Sequence, residues 1–213
     1  HLPPWVPDTG AFELPPDKDR RQGFAEWLTK PSNPFFAKVE VNRIWASLMG
    51  IGIVEPFDDF RDTNPPSNQP LLEALAKDFV QSGFNRRDLI RKIVNSNAYQ
   101  TSAESNEFNR DDTRFFSFRQ PRRLEAEQLV DALGQVTGKP MKFPGVPNTV
   151  KAVHLPAPDL GQKNRSMIGD IEFLKVFGQP ERQTVCSCER AGDAGLGQAL
   201  QLFNGKLFNS MLT

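Results

Sequence analysis

The chain has 213 residues, of which 38% are hydrophobic and 24% are charged, and its 26 basic residues balance its 26 acidic residues. A chain of this length can bury a sizeable core without disulfides or metals. The zero net charge argues against a protein-wide field for nucleic acids or anionic membranes, so no nucleic-acid partner is expected. No apolar run approaches the roughly 18 residues of a transmembrane helix, so no membrane span is expected.

The N-terminal segment is rich in proline. Residues 1–16 contain five prolines and are predicted to form an extended arm. Residues 17–213 are predicted to form a single, mainly helical domain. Because the chain begins with His1 rather than Met and stops soon after an apolar run, we expect a fragment or processed product of a larger protein.

The first helical pattern starts near Asp17 and places Phe24, Trp27 and Leu28 on one face. Pro31 ends it. A second helix is predicted to restart at residues 33–34, where Asn can cap the helix and Pro suits its first turn.

Glycines punctuate the rest of the helical part. Gly50 and Gly52 end the second helix, and residues 55–70 are predicted to form a structured loop. Gly83 closes a third helix and Asn85 caps a fourth. A fifth ends near Gly138 and Pro140. The positions expected on the buried faces of these last three helices are Leu71, Leu72, Leu75, Phe79, Leu89, Ile90, Ile93, Val94, Leu124, Val130, Leu133 and Val136.

The remaining sequence is less regular. Residues 141–169 form the longest irregular span, and short apolar runs follow at 171–176 and 199–212. No alternation of apolar and polar residues is long enough to predict a sheet. The predicted fold class is therefore mostly α: an irregular multi-helix domain with long Pro-rich ordered loops and at most a small β-hairpin.

Cys186 and Cys188 are separated by one residue. In an extended backbone their Cα atoms would lie about 6.5 Å apart with side chains on opposite faces, so a disulfide would need a turn. Such a strained bridge would suit redox chemistry. A metal role needs further ligands, and His154 is the only internal histidine, which disfavours a closed zinc site. Two small buried residues or a local structural bridge explain the pair more simply.

Glu127 and Asp131 lie four residues apart on a predicted helix, which places their Cβ atoms about 6 Å apart. A buried carboxyl pair of this kind can serve acid–base catalysis, as in glycoside hydrolysis. Arg119, Arg122 and Arg123 are close in sequence, however. An arginine–carboxylate network that braces the helix therefore explains the same residues.

Further acidic and basic residues are predicted to pair. Arg43 is opposed in sequence by Asp58 and Asp59, and a bidentate pair would hold the loop against the helix. A cation site at these aspartates lacks the spacing of a calcium loop. The predicted structural ion-pair residues are Arg43, Asp58, Asp59, Arg61, Arg122, Arg123, Glu127, Asp131, Glu189 and Arg190.

Two surface features bear on carbohydrate binding. Basic pairs at 86–87 and 91–92 form a solvated face or, as the alternative, a contact for a polyanion such as a sulfated glycan. A glycan-binding module would also need an exposed aromatic platform. Trp27 and Trp45 are predicted to be internal by helical phase, which disfavours this module.

Nine segments together resemble a planctomycete-specific domain of unknown function found C-terminal to cytochrome-c-like modules in large exported proteins. They are AEWLT (25–29), NPFFAKV (33–39), VNRIW (41–45), DDFR (58–61), AYQ (98–100), RRLEAEQ (122–128), DAL (131–133), CER (188–190) and QAL (198–200). The resemblance implies an extracytoplasmic location and gene neighbourhoods rich in polysaccharide-degrading enzymes. It implies no defined activity.

The resemblance favours an assembly or interaction module whose partners are other domains of the same protein or exported proteins, with polysaccharide as a further option. The rivals are an enzyme or redox accessory domain and a glycan-binding module. The chain contains no Cys-x-x-Cys-His motif, so no cofactor is predicted here. Any haem c would lie on an upstream module.

Overall fold

The structure is a computed structural model that describes residues 5–6, 10–11, 19–143, 146–155, 172–179 and 195–212. The chain divides into two compact units, His1–Arg122 and Arg123–Thr213. Two compact units can still unfold as one cooperative domain. The single domain predicted over residues 17–213 therefore stays a prediction.

The predicted mostly α fold is confirmed. A short antiparallel ladder joins β1 (Trp5–Val6) to β2 (Gly10–Ala11) within the predicted arm. The helices are α1 (Arg20–Leu28), α2 (Phe36–Met49), α3 (Gln69–Gln81), α4 (Arg86–Val94), α5 (Ala126–Thr137), α6 (Glu172–Val176), α7 (Leu196–Asn204) and α8 (Lys206–Leu212), with a 3-10 helix at Ala152–His154.

Short-range chemistry sets the helix ends in the first unit. The side-chain oxygen of Asn33 accepts from the amides of Phe35 and Phe36, both at 2.9 Å, so Asn33 braces the turn that leads into α2. The N-cap of α2 is Phe35 and not the predicted Asn33. Asn85 caps α4 as predicted, because its side-chain oxygen accepts from the amide of Asp88. Gly50 ends α2 with a φ of 96°, a left-handed conformation that glycine adopts without steric cost.

The first unit buries an apolar core between α2, α3 and α4 and the loop after α2. Trp45 is 3% exposed, and its ring meets Phe116 edge to face at a centroid distance of 5.1 Å. The buried side chains of this core include Val41, Trp45, Met49, Ile53, Val54, Leu72, Phe79, Leu89 and Ile93.

The second unit has a core of its own. Its α5 buries Ala126, Val130 and Gly134, which are spaced four residues apart along one face. Gly134 is required there because a Cβ would come within 2.9 Å of the Cα of Pro140. The other buried side chains of this core are Phe143, Ala152, Phe173, Leu174 and Met211.

Three positions predicted to be buried are wrong. Leu124 precedes the first turn of α5, and Val136 lies away from its buried stripe and is 86% exposed. Ile90 is exposed on α4. Phe24 stacks on Trp27, with which it was predicted to share a face, but it is exposed, because α1 buries Gly23 alone among its residues. Helical phase identifies a face but not whether another element covers it.

Candidate functional site

Asn42 holds the loop that follows α2. Its side chain is fully buried, and its oxygen accepts from the amides of Ile53 and Val54 at 2.8 and 3.1 Å. Its amide nitrogen donates to the carbonyls of Val54 and Phe57 at 2.9 and 2.7 Å. One side chain therefore satisfies four backbone groups, which fixes the loop against the helix.

The same loop is braced at further points. Glu55 accepts from the amide of Gly52 at 2.7 Å, and Ser67 donates its amide to the carbonyl of Ile53 at 2.7 Å. A Cβ at Gly52 would overlap the carbonyl oxygen of Val54, so glycine is required by the tight path of the chain. The predicted structured loop is confirmed.

Four of the predicted ion-pair residues form two pairs at this loop. Arg43 is 3.8 Å from Asp58, and its guanidinium lies 5.8 Å from the ring centroid of Phe57. Arg61 pairs with Asp59 at 2.6 Å, and this hydrogen bond raises the pKa of Arg61 above its ordinary value. Both pairs are partly exposed, so they orient the loop surface more than they stabilise it.

The carboxylate of Asp131 is engaged at both oxygens. They accept from the amides of Ala152 and Val153 at 2.8 and 3.1 Å, where the 3-10 helix begins. Glu127, one turn earlier on α5, is not free of partners either. The geometry around Asp131 is that of a helix anchor, which does not favour the acid–base pair considered from the sequence.

The arginines before α5 contact oxygens other than carboxylates. Arg122 donates to the carbonyl of Ser47, and Arg123 donates to the side-chain oxygen of Gln198 at 2.8 Å. Arg119 donates to the carbonyl of Tyr99 at 3.0 Å, and its guanidinium lies 3.9 Å from the centroid of that ring. In these contacts the arginines bind carbonyl and amide oxygens. The sequence had predicted that they would pair with the carboxylates of Glu127 and Asp131.

Cys186, Cys188, Glu189 and Arg190 lie outside the described residues. The structural, redox and metal interpretations of the two thiols therefore stay predictions, as does the pairing of Glu189 and Arg190. Within the part of the chain that the structure describes, no group of three or more His, Cys, Asp or Glu side chains could hold a metal ion.

A loop between α4 and α5, residues 106–117, has an ordered backbone and exposed aromatic rings that its polar, turn-like sequence did not specify. Asn106 accepts from the amides of Phe108 and Asn109 at 2.9 and 3.1 Å. Asp112 accepts from three more amides, those of Arg114, Phe115 and Ser117, at 2.7–2.9 Å. Asn and Asp at turn positions are the signal that could have revealed it.

The carboxylate of Asp112 is stabilised in its ionised form by the hydrogen bonds that it accepts within this loop. The hydrogen bond from Ser117 holds the pKa of Asp112 well below its ordinary value, followed by the amides of Phe115 and Arg114. Since these groups stabilise the ionised carboxylate, the loop is braced most firmly above the ordinary pKa of an aspartate.

The braced loop carries two bare aromatic rings. Phe108 is 90% exposed and Phe115 is 70% exposed. Arg110 and Arg114 are also exposed on the same loop. An ordered loop that carries two exposed phenylalanines and two exposed arginines is a candidate contact surface.

Three of the four basic residues of α4 lie within ion-pair distance of acidic neighbours. Arg86 pairs with Glu40 at 2.6 Å, and Lys92 lies 2.6 Å from Asp78 and 2.9 Å from Asp88. The hydrogen bonds to Asp78 and Asp88 raise the pKa of Lys92. This neutralised surface is poorly suited to attracting a polyanion.

Comparison with known protein families identifies the family of this chain. The model of a family described as PSD1, protein of unknown function (DUF1553), matches residues 20–213. The chain belongs to this family. No curated protein and no solved structure matches it.

The DUF1553 match begins at Arg20, the first residue of α1, and leaves out the residues before that helix. The matched range therefore contains Asn42 with the loop that it holds, the 106–117 loop, and Asp131 of α5 with its contacts to the 3-10 helix. Among the described residues of this DUF1553 chain, none of the helices is both long and apolar enough to span a bilayer.

Proposed function

We propose that the chain is a protein-interaction module that helps to assemble a larger, exported, cytochrome-c-associated protein. Its partners would be other domains of the same protein or exported proteins. The extracytoplasmic setting and the upstream haem module are supported by the resemblance of nine sequence segments to the planctomycete domain. The observation that carries the interaction role is the ordered 106–117 loop with Phe108 and Phe115 exposed.

Order in the loop favours binding. Asn106 and Asp112 together accept from five backbone amides, so the loop loses little conformational freedom when a partner docks. Large apolar side chains on a rigid support are the usual anchors of protein interfaces, and a few of them carry most of the affinity.

The chemistry around the rings describes the partner. Arg110 and Arg114 are exposed beside the phenylalanines, and arginine is enriched at interfaces. The partner surface would therefore offer apolar pockets for the two rings, with carboxylates or carbonyl oxygens around them. Apolar pockets of this kind are a feature of protein surfaces.

The rival functions have weaker support. For an acid–base enzyme no observation offers support, because both oxygens of Asp131 bind the backbone amides of Ala152 and Val153 in a structural contact. A glycan-binding platform typically uses the amphipathic rings of Trp or Tyr, but Trp45 is buried and the guanidinium of Arg119 lies over Tyr99. A redox role would depend on Cys186 and Cys188.

The test is the double variant Phe108→Ser/Phe115→Ser in the full-length protein. We expect loss of the partner contact by about 30-fold or more in affinity, which corresponds to about 2 kcal/mol for a hot spot. The measurement is crosslinking and mass spectrometry of the native assembly, followed by titration of the crosslinked partner. Val136→Ser, which also removes an exposed apolar side chain, is the matched control.

Equal affinity of the double variant and the control would refute the proposal. Crosslinks that avoid residues 106–117 would do the same. Circular dichroism spectra of all three proteins establish that the helices are intact.

A further inference from the structure

Two neighbouring phenylalanines of the 106–117 loop have opposite environments. The ring of Phe116 packs against the core of the first unit and meets the ring of Trp45 edge to face at a centroid distance of 5.1 Å. The side chain of Phe115 is 70% exposed. The loop therefore uses one ring to contact its own core and presents the next ring to solvent.

The backbone of Phe116 has an unusual conformation that separates the two rings. Its φ is 58°, in the left-handed region that residues with a β-carbon adopt at a steric cost. The amides on either side of it, those of Phe115 and Ser117, donate to the carboxylate of Asp112 at 2.7 and 2.9 Å. The left-handed residue between them lets both amides face one carboxylate.

Further hydrogen bonds hold the loop to itself. The side chain of Asn109 donates to the carbonyl of Ser117 at 3.3 Å, and the amide of Asp112 donates to the carbonyl of Asn109 at 3.0 Å. Gln120 donates to the carbonyl of Asp112, also at 3.0 Å. These bonds join the loop to itself and to its flank, whereas Phe116 joins it to the core. The loop can therefore leave the core without losing them.

The contact between Phe116 and Trp45 has opposing contributions. Burial of apolar ring surface favours it. The indole N–H of Trp45, however, is buried and has no hydrogen-bond partner among the described residues, which is unfavourable. Movement of the Phe116 ring away from Trp45 would let water reach this group. Local opening of this kind needs less free energy than unfolding of the whole unit.

We propose that Phe116 is the positioning residue of the partner contact, and that the loop alternates between a seated form, with this ring on Trp45, and a released form. The inference rests on the interaction role proposed above and adds how Phe108 and Phe115 are held in place. The partner would bind the seated form. A ligand that prefers one of two forms shifts the equilibrium towards that form, so a bound partner should keep Trp45 covered.

Hydrogen exchange in the whole chain tests the two forms without any partner. The indole N–H of Trp45 and the backbone amide of Val41, which is buried in α2, are followed by two-dimensional NMR in D2O at several urea concentrations below the unfolding transition. We expect the indole N–H to be protected about tenfold less than the Val41 amide, or less still, and to depend less on urea, because local opening exposes little surface.

Two variants separate seating from contact. Phe116→Gly removes the ring and leaves the left-handed backbone free of steric cost, so it should lower the protection of the Trp45 indole by about tenfold or more. It should weaken binding of the partner identified by crosslinking by about tenfold or more as well. Phe115→Gly, the matched control, should weaken binding but leave the protection of the indole within about twofold of the wild type.

Equal protection and equal urea dependence of the Trp45 indole and the Val41 amide in the wild type would overturn the proposal, because the ring would then leave Trp45 only when the unit unfolds. This measurement needs no variant to fold. Wild-type affinity in Phe116→Gly would overturn it as well. Undiminished binding by Phe108→Ser/Phe115→Ser would instead refute the interaction role, and the exchange measurement tells the two failures apart.

Discussion

Asn42 shows how one polar residue can determine a local structure. A buried amide is unfavourable unless its oxygen and nitrogen are both bonded, and here each makes two hydrogen bonds to the 53–57 backbone. The loop cannot hydrogen-bond to itself at these points. The side chain replaces the missing backbone partners.

Replacing Asn42 by Ala should lower the free energy of unfolding by roughly 3 kcal/mol or more. The variant leaves four backbone groups without partners, and each buried one costs about 1–3 kcal/mol. Urea unfolding followed by circular dichroism measures the loss. Asn68→Ala, which removes one bond to the amide of Leu71, should cost only about 1 kcal/mol. Similar losses in both variants would contradict this account of Asn42.

Several residue contacts could be predicted because they depend on neighbours in sequence. The cap by Asn85 and the end of α2 at Gly50 follow from the few residues on either side. The proximity of Arg43 and Asp58 was predictable from the short loop between them. By contrast, Arg122 reaches the carbonyl of Ser47, 75 residues away, which no local pattern indicates.

At the scale of elements, the exposed face of a helix was harder to predict than its existence. Periodicity located α5, but its buried stripe is formed by Ala126, Val130 and Gly134, two of which are too small to dominate an apolar pattern. Val136 therefore looked internal although it faces solvent. Only the approach of Pro140 to Gly134 reveals which side is covered.

The 106–117 loop escaped prediction for a related reason. Its sequence is polar, and polarity alone is typical of any surface segment. Its order comes from side chains of Asn106 and Asp112 that act as acceptors for the backbone. Exposure of Phe108 and Phe115 then follows from the path of the loop rather than from their own chemistry.

The loop should become less stable in acid. The folded state lowers the pKa of Asp112, so its stabilising contribution is fully present above the unfolded pKa of about 3.9 and is lost as the pH falls from there through the lower folded-state pKa. We expect Asp112→Asn to be less stable than the wild type at pH 7, with the difference beginning to shrink only below about pH 4 and shrinking further as the pH falls. Urea unfolding of both proteins at four pH values measures this.

A difference between wild type and Asp112→Asn that stays constant with pH would contradict the role of the carboxylate charge. Asp111→Asn is the matched control, since Asp111 is an exposed neighbour. Its unfolding curve should follow the wild type at every pH.

At the scale of the whole molecule, each compact unit has an apolar core of its own. The core of the first unit includes Trp45, Leu72 and Phe79, whose side chains are almost fully buried. Such a core is sufficient for independent folding in a segment of this length. The boundary follows Arg122.

A chain that ends at Arg122 should fold without the rest. We expect helical circular dichroism and one cooperative urea transition, because the described core of this unit is complete within it. Asn42→Ala in the shortened chain should lower the midpoint as it does in the whole protein. A shortened chain with no cooperative transition would instead support the single domain predicted over residues 17–213.

The burial of Trp45 should affect the wavelength of its fluorescence. Its indole N–H is buried and has no hydrogen-bond partner among the described residues, while Phe116 closes the side of the ring. An indole shielded from water emits at shorter wavelength than a solvated one. The fluorescence of Trp45 should therefore report opening of the first core directly, without an added dye.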